Sequence, residues 1–139
     1  MLSKKIISSI PPAIRTIRRI SASSLGSEIT FHQFRVLNLV FEGMNQTQMS
    51  QNLQVSMAAV SKIVDLLVKK DLLNREACED RRCVKLSLTR EGEKLRKHVR
   101  TSVQKELEKH FKKLTTKEQT DLNNGLDVLD KLMGFLNEK

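Results

Sequence analysis

Only three residues, Gln54-Val55-Ser56, stand between two helical patterns, and so short a link leaves the second helix little choice of direction. Before it, a short helix predicted over about 46–53 turns Met49 and Leu53 inward. After it, Val60, Ile63, Val64 and Leu67 recur on one stripe, with Ser56 placed to cap the helix of residues 56–69. Ala58, Ala59, Ser61, Lys62, Asp65 and Lys69 fall on the opposite face, which is small and polar at its start and basic at its end. Two helices joined this tightly, the second with an apolar inner stripe and a polar outer face, form a helix-turn-helix.

Beyond Asp71 the texture changes. LLNREAC and CVKLSL are short segments in which Val84, Leu86 and Leu88 alternate with Cys83, Lys85 and Ser87, and the charged tetrapeptide EDRR separates them. Alternation of period two with a polar break predicts a β-hairpin, and a hairpin directly behind such a helix is a wing with Arg81 and Arg82 at its tip.

Long helices flank this lobe. Isoleucines at 7, 10, 14, 17 and 20 keep helical spacing, and Pro11-Pro12 puts the predicted start of the main helix near Ser9 or Ile10, with its end near Ser24. Thr30 and Gln33 have the spacing of a capping box for a helix over 31–42. Thr89 can cap a long helix to about Lys113, with Glu91 and Glu93 in its first turn. Thr115 with Glu118, and Thr116 with Gln119, offer overlapping boxes for a last helix. Its Leu122, Leu126, Leu129, Met133 and Leu136 make a narrow seam suited to a helix partner.

The fold class that follows is mainly α: a winged helix-turn-helix with a small β-hairpin wing and long terminal helices. A single domain over 1–139 divides into terminal dimerisation helices (1–28 and 114–139), the lobe (30–88) and a connecting helix (89–113). The isoleucine and leucine seams would be left exposed on a lone chain, and burying each large aliphatic side chain is worth about 1.5–3 kcal/mol, so a homodimer is expected.

Charge points to the partner. With 25 Lys and Arg against 16 Asp and Glu the chain carries +9, and residues 56–100 alone hold twelve basic against seven acidic side chains. A polycation with its excess on a helix-turn-helix favours nucleic acid over an anionic membrane. No apolar run approaches the roughly 18–20 residues that span a bilayer. Two cysteines and no leader-like apolar segment predict a cytoplasmic protein. Catalysis has little support, since there is no Gly-rich phosphate loop or His-Glu-x-x-His pattern, and His32, His98 and His110 lie far apart. Neither a metal nor a cofactor is expected.

In a major groove about 12 Å wide, Ser56, Ala58, Ala59 and Ser61 would permit close approach, and the alanine methyls could meet thymine methyls. Lys62 and Lys69 would reach phosphates or guanine edges, while Gln46, Thr47 and Gln48 at the preceding helix start would hydrogen-bond a phosphate. Arg81 and Arg82 would enter a minor groove, and Asp80 would pair with an arginine to fix its direction. A solvated amphipathic helix and a solvated charged loop are the plainer alternatives for the same residues.

The order of a basic amphipathic helix, KKDLLNRE, DRR, LSLT and TREG between long terminal helices resembles the MarR family of winged-helix transcription regulators. The most specific stretch is Ser61 to Gly92, SKIVDLLVKKDLLNREACEDRRCVKLSLTREG. The resemblance implies an obligate dimer with interlocked first and last helices that binds pseudo-palindromic double-stranded DNA and commonly represses transcription. It makes 56–69 the recognition helix, with Asp80 and Arg82 the wing's aspartate and minor-groove arginine. It also implies a small anionic aromatic effector between the dimer helices and the lobe, for which Arg15, Arg19, His32 and Arg35 are the candidates. Asp71 and Gln54 stand where the family usually has glycine, and the stretch from Arg75 to Asp80 is one residue short and lacks the frequent proline.

Two other readings stay open. A winged-helix dimer could bind protein instead of DNA, although its outer helix face and wing tip would then be acidic or apolar. Alternatively, Cys78 and Cys83, which enclose EDRR, could form a redox switch. A hairpin closing on that tetrapeptide sets them opposite each other, and a non-hydrogen-bonded pair would bring their Cα atoms to about 4.5 Å, the lower edge of disulfide range. Cytosolic thiols are reduced by default, so incidental strand cysteines are the expectation. Zinc has no further ligands nearby to complete a site.

Overall fold

A computed structural model describes residues 1–80 and 83–138. Among them the chain forms α1 (Leu2–Leu25), α2 (Phe31–Phe41), α3 (Gln46–Leu53), α4 (Met57–Lys69), β1 (Leu73–Ala77), β2 (Val84–Leu88), α5 (Arg90–Phe111) and α6 (Thr116–Asn137). This is the expected winged helix-turn-helix with its hairpin. It divides into two compact units, residues 1–103 and residues 104 onward.

In the first unit, local hydrogen bonds start the helices where the side chains predict. Thr30 Oγ1 accepts from Gln33 N at 3.1 Å while Gln33 Oε1 accepts from Thr30 N at 3.0 Å, a complete capping box. Val36, Leu37, Met49, Val60, Val64 and Leu67 are inaccessible to solvent, so α2, α3 and α4 close on one core. Leu72 and Leu73 from the start of the hairpin and Val99 from α5 complete it. Burial on this scale, at about 1.5–3 kcal/mol per large aliphatic side chain, is what holds the short α3 in place, since eight residues are too few for a helix to persist alone.

The wing's base is pinned to α5 by one short motif. Thr89 donates its hydroxyl to Asp71 O at 2.6 Å and accepts from Gly92 N at 3.0 Å, while Thr89 N donates to Leu72 O at 3.1 Å. Gly92 lies so close to the Leu72 carbonyl that a β-carbon there would collide with it. The Leu-Thr-x-x-Gly pattern is therefore a docking device between hairpin and helix. Asp71, standing where the resembled family usually has glycine, takes the left-handed conformation at φ 60°.

The start of α1 differs from expectation. α1 begins at Leu2 and runs through Pro11 and Pro12 instead of starting near Ser9 or Ile10. Two prolines remove the donors that would reach the carbonyls of Ile7 and Ser8, but both residues are exposed, so water can take those acceptors. Proline's fixed φ is itself helical. Within α1 only Ser21 and Leu25 are buried, and Ser21 satisfies its hydroxyl on Ile17 O at 2.8 Å.

The second unit holds the end of α5 and all of α6. Thr115 and Glu118 form the capping box of α6, with Oγ1 accepting from Glu118 N at 3.2 Å and Glu118 Oε2 accepting from Thr115 N at 2.7 Å. Thr116 is the first helical residue, because Gln119 spends its Nε2 on Phe111 O at 3.0 Å and Leu114 O at 3.2 Å across the elbow. No residue of α6 is buried. α5 ends at Phe111, two residues before the predicted limit.

Candidate nucleic-acid interface

The candidate surface starts at two adjacent helix caps. Asn45 Oδ1 accepts from Gln48 N at 2.9 Å and Gln48 Oε1 accepts from Asn45 N at 2.9 Å, fixing the start of α3. Ser56 Oγ accepts from Ala59 N at 3.1 Å and fixes the start of α4. Between them Gln54 turns the chain at φ 55°, and Ser50 Oγ donates to Val55 O at 2.6 Å. The turn thus carries no glycine but is held by a side-chain bond from the helix before it.

This geometry distributes the predicted contacts as follows. Ser56, Ala58, Lys62 and Lys69 are exposed, and Ala59 and Ser61 are half-buried at the shoulder of the same face. Thr47 and Gln48 are exposed and Gln46 is half-buried. Gln48 uses its side-chain oxygen in the cap, so only its Nε2 hydrogens would be available for the phosphate contact expected of it. The inner stripe is as expected, with Val60, Val64 and Leu67 buried and Ile63 packed against the core.

Two features were missed in the sequence. Met57 shares the helical phase of Val60 and Val64, which marks it as inward, yet it is 47% exposed. It occupies the first turn of α4, which projects past the core that covers the later turns. The second is an ion pair: Arg75 on β1 reaches Asp65 on α4, Nη2 to Oδ1 at 2.5 Å. Both groups are solvent-accessible, so the pair adds little stability. It does bridge the helix to the hairpin and neutralises the one acid on the outer face of α4. No periodicity signals it, because it joins elements in different phases.

The hairpin is antiparallel, with Leu73 opposite Leu88 and Ala77 opposite Val84. Arg81 and Arg82 lie outside the described residues. At the edge of the described wing, Cys83 N donates to Asp80 O at 3.0 Å. The register continues to Cys78 and Cys83, which are joined by a disulfide with their Cα atoms 5.3 Å apart. Cys78 N donates to Cys83 O at 3.2 Å, so the pair sits at a hydrogen-bonded position and not the non-hydrogen-bonded one expected.

The suggested effector residues are spread over two helices. Arg15, Arg19 and His32 are exposed and Arg35 is half-buried, while it is Arg18 whose guanidinium covers the Phe31 ring, at 5.2 Å. A cleft of about 470 Å³ in the same unit is lined instead by Glu28, Ile29, Lys70, Asp71, Leu72 and Glu91. Among the described residues no group of His, Cys, Asp and Glu is arranged to hold a metal, and no helix is long and apolar enough to cross a membrane.

Residues 29–84 match the sequence model of the MarR family. Over nearly its whole length the chain shares its fold with the transcriptional regulator Tm0710 from Thermotoga maritima, at TM-score 0.82 and 23% identity, covering 98% of this chain and 99% of that one. Wild-type MarR from E. coli in its apo form superposes at TM-score 0.72 and 25% identity, over 86% of this chain and 92% of the other. A mutant MepR from S. aureus, bound to an oligodeoxyribonucleotide, superposes at 0.66 and 21% identity, over 88% and 94%. No curated protein matches the chain in sequence.

Proposed function

We infer, from a MarR-family segment over residues 29–84 carried on the fold of MarR-family transcriptional regulators, that this chain is a DNA-binding regulator acting as a dimeric, sequence-specific repressor. The observation that carries the reading is the outer face of α4. Small side chains at Ser56, Ala58 and Ala59 clear the approach to base edges, and Lys62 and Lys69 further along supply the positive charge for the backbone. Met57 adds an apolar contact of the kind a thymine methyl accepts. Behind it the hairpin would carry Arg81 and Arg82 into the adjoining minor groove, with Asp80 steering Arg82.

Dimerisation rests on the apolar side chains the single chain leaves uncovered. Ile7, Ile14 and Ile17 of α1 are 73%, 52% and 44% exposed, and Leu122, Leu126 and Leu136 of α6 are 45%, 50% and 68% exposed. A cleft of about 220 Å³ lined by Phe111, Gln119, Leu122, Asn123 and Leu126 opens on the second unit. A second copy of the chain is the occupant that would also give the two recognition helices a two-fold relation, matching a pseudo-palindromic operator. A small anionic aromatic effector would be drawn to Arg15, Arg19, His32 and Arg35. The reading assigns the protein no catalysis and a place with the chromosome in the cytoplasm.

Selection from a random duplex library at two salt concentrations tests it. One palindromic motif should be enriched, and affinity for it should fall steeply as salt rises, because each neutralised phosphate releases counterions. Enrichment of no motif, or binding indifferent to salt, would sink the proposal.

A further inference from the structure

Ala58, Lys62, Asp65 and Lys69 follow one another at steps of four, three and four, so they make a single row along α4, and all four are exposed. An acid in the middle of that row is at odds with a surface that must approach phosphates. We propose that Asp65 is a specificity-determining residue: its carboxylate reads a cytosine in the major groove, and Arg75 keeps it neutralised and aimed while it does so. This deepens the DNA-binding reading given above and rests on it.

The ion pair has the geometry for this role. Arg75 lies two residues after Leu73 and so on the same face of β1, and Leu73 is buried in the core that α4 helps to close. The strand therefore carries the Arg75 guanidinium toward the helix, where Nη2 donates to Asp65 Oδ1 at 2.5 Å. Lys62 and Lys69 stand three residues before Asp65 and four after it, at the spacing of helical ion pairs, yet the carboxylate is held from the hairpin. Among the described residues Oδ2 receives no hydrogen bond, and the Asp65 side chain is 61% exposed. One oxygen is held and the other is open to a donor.

The base edges decide which donor that is. In the major groove guanine presents N7 and O6 and thymine presents O4, all acceptors that repel a carboxylate. Adenine has a donor at N6, but its N7 acceptor lies beside it. Cytosine presents its N4 hydrogens with no acceptor of its own on that edge. A bare carboxylate would be driven off by the phosphates. The guanidinium beside it cancels its charge, while Lys62 and Lys69 meet the backbone on either side. Ala58 is seven residues away, about 10 Å along the helix axis, so it and Asp65 face different base pairs.

The test repeats the selection from a random duplex library with full-length variants. The wild type should take cytosine by about fivefold to tenfold at one position of each half-site, and Asp65→Ala should level that preference while the other positions stay sharp. Asp65→Asn, whose amide matches the donor and acceptor of adenine, should raise adenine at the same position. Arg75→Ala, which strips the carboxylate of its counter-charge, should weaken binding to every duplex by about tenfold with cytosine still preferred. A motif unchanged in Asp65→Ala would overturn the proposal. So would a loss spread over all positions and reproduced by Arg75→Ala, which would leave Asp65 as no more than an anchor for the hairpin. If the wild type enriches no motif, the DNA-binding reading itself fails; if it enriches one without such a cytosine, only this proposal does.

Discussion

α4 and α6 both carry an apolar stripe on an otherwise polar helix, and the chain treats them in opposite ways. In α4, Val60, Val64 and Leu67 are fully enclosed. In α6 no side chain is buried, and Leu122 and Leu126 remain about half exposed. The stripe of α4 meets α2, α3 and the hairpin, all within its own lobe, whereas that of α6 is a narrow seam with nothing in its own unit to close it. Similar patterns can thus encode two outcomes, one stripe closed by the fold and one left open by it, where the proposed second chain would sit.

Substitutions in the two stripes should separate these roles. Leu67→Ala is expected to cost the lobe about 2–5 kcal/mol, read by denaturant unfolding, because it opens a cavity at a site with no solvent access. A loss below about 1 kcal/mol would mean the lobe is less tightly closed than its burial indicates. Replacing Leu122 and Leu126 together by aspartate should leave the lobe's unfolding midpoint nearly unchanged but convert dimer to monomer in sedimentation. Operator affinity should then fall about 100-fold, since the two half-sites lose their linkage. If lobe stability collapsed instead, α6 would be part of the same core and the contrast would break.

Gly92→Ala probes the junction between hairpin and α5. Its new methyl would meet the Leu72 carbonyl, and the expected destabilisation is about 1–3 kcal/mol, even though alanine is the better helix former. An unchanged midpoint would show that the wing's base can shift to make room.

The smallest effect concerns the cap of α6. Accepting the Thr115 backbone N–H holds the Glu118 carboxyl below its ordinary range. A carboxylate with its pKa depressed in the folded chain contributes stability that is present above its unfolded pKa. That contribution is lost as pH falls through the lower, folded value. The start of α6 should therefore fray on acidification below about pH 4, seen as faster amide exchange at residues 116–118, and Glu118→Gln should blunt that dependence. A fray of equal size in the glutamine variant would assign it to another group.

Much of this was legible in the sequence because it is local. Caps at Thr30, Ser56 and Thr115 need only a hydroxyl three residues before a free N–H. That Asp71 and Gln54 stand where the resembled family usually has glycine marked the two places where the backbone proves left-handed. The stripe of α4 follows from a period of 3.6. None of these depends on residues far along the chain, so composition and spacing suffice to find them, and the motif from Ser61 to Gly92 sufficed to suggest the family.

Other features could not be found in this way. Asp65 and Arg75 sit on elements of different period and meet only when the hairpin folds back along α4. Met57 has the phase of a core residue, and its exposure depends on how far the core extends under the first turn of the helix. Opposed cysteines were foreseen from a four-residue tip, but whether they faced each other at a hydrogen-bonded position depended on the register, set by Leu73 against Leu88 at the far end of the strands. The prolines place the start of α1 too late, since the cost of their missing donors depends on whether the carbonyls of Ile7 and Ser8 are exposed to water, which only the fold decides. What the sequence by itself determined is the order of elements, their caps and the basic helix-turn-helix, because hydrogen bonds and periodicity act within a few residues. Only the tertiary structure decided which side chains meet across elements and which apolar faces stay open, because through-space contact and solvent access belong to the packed chain.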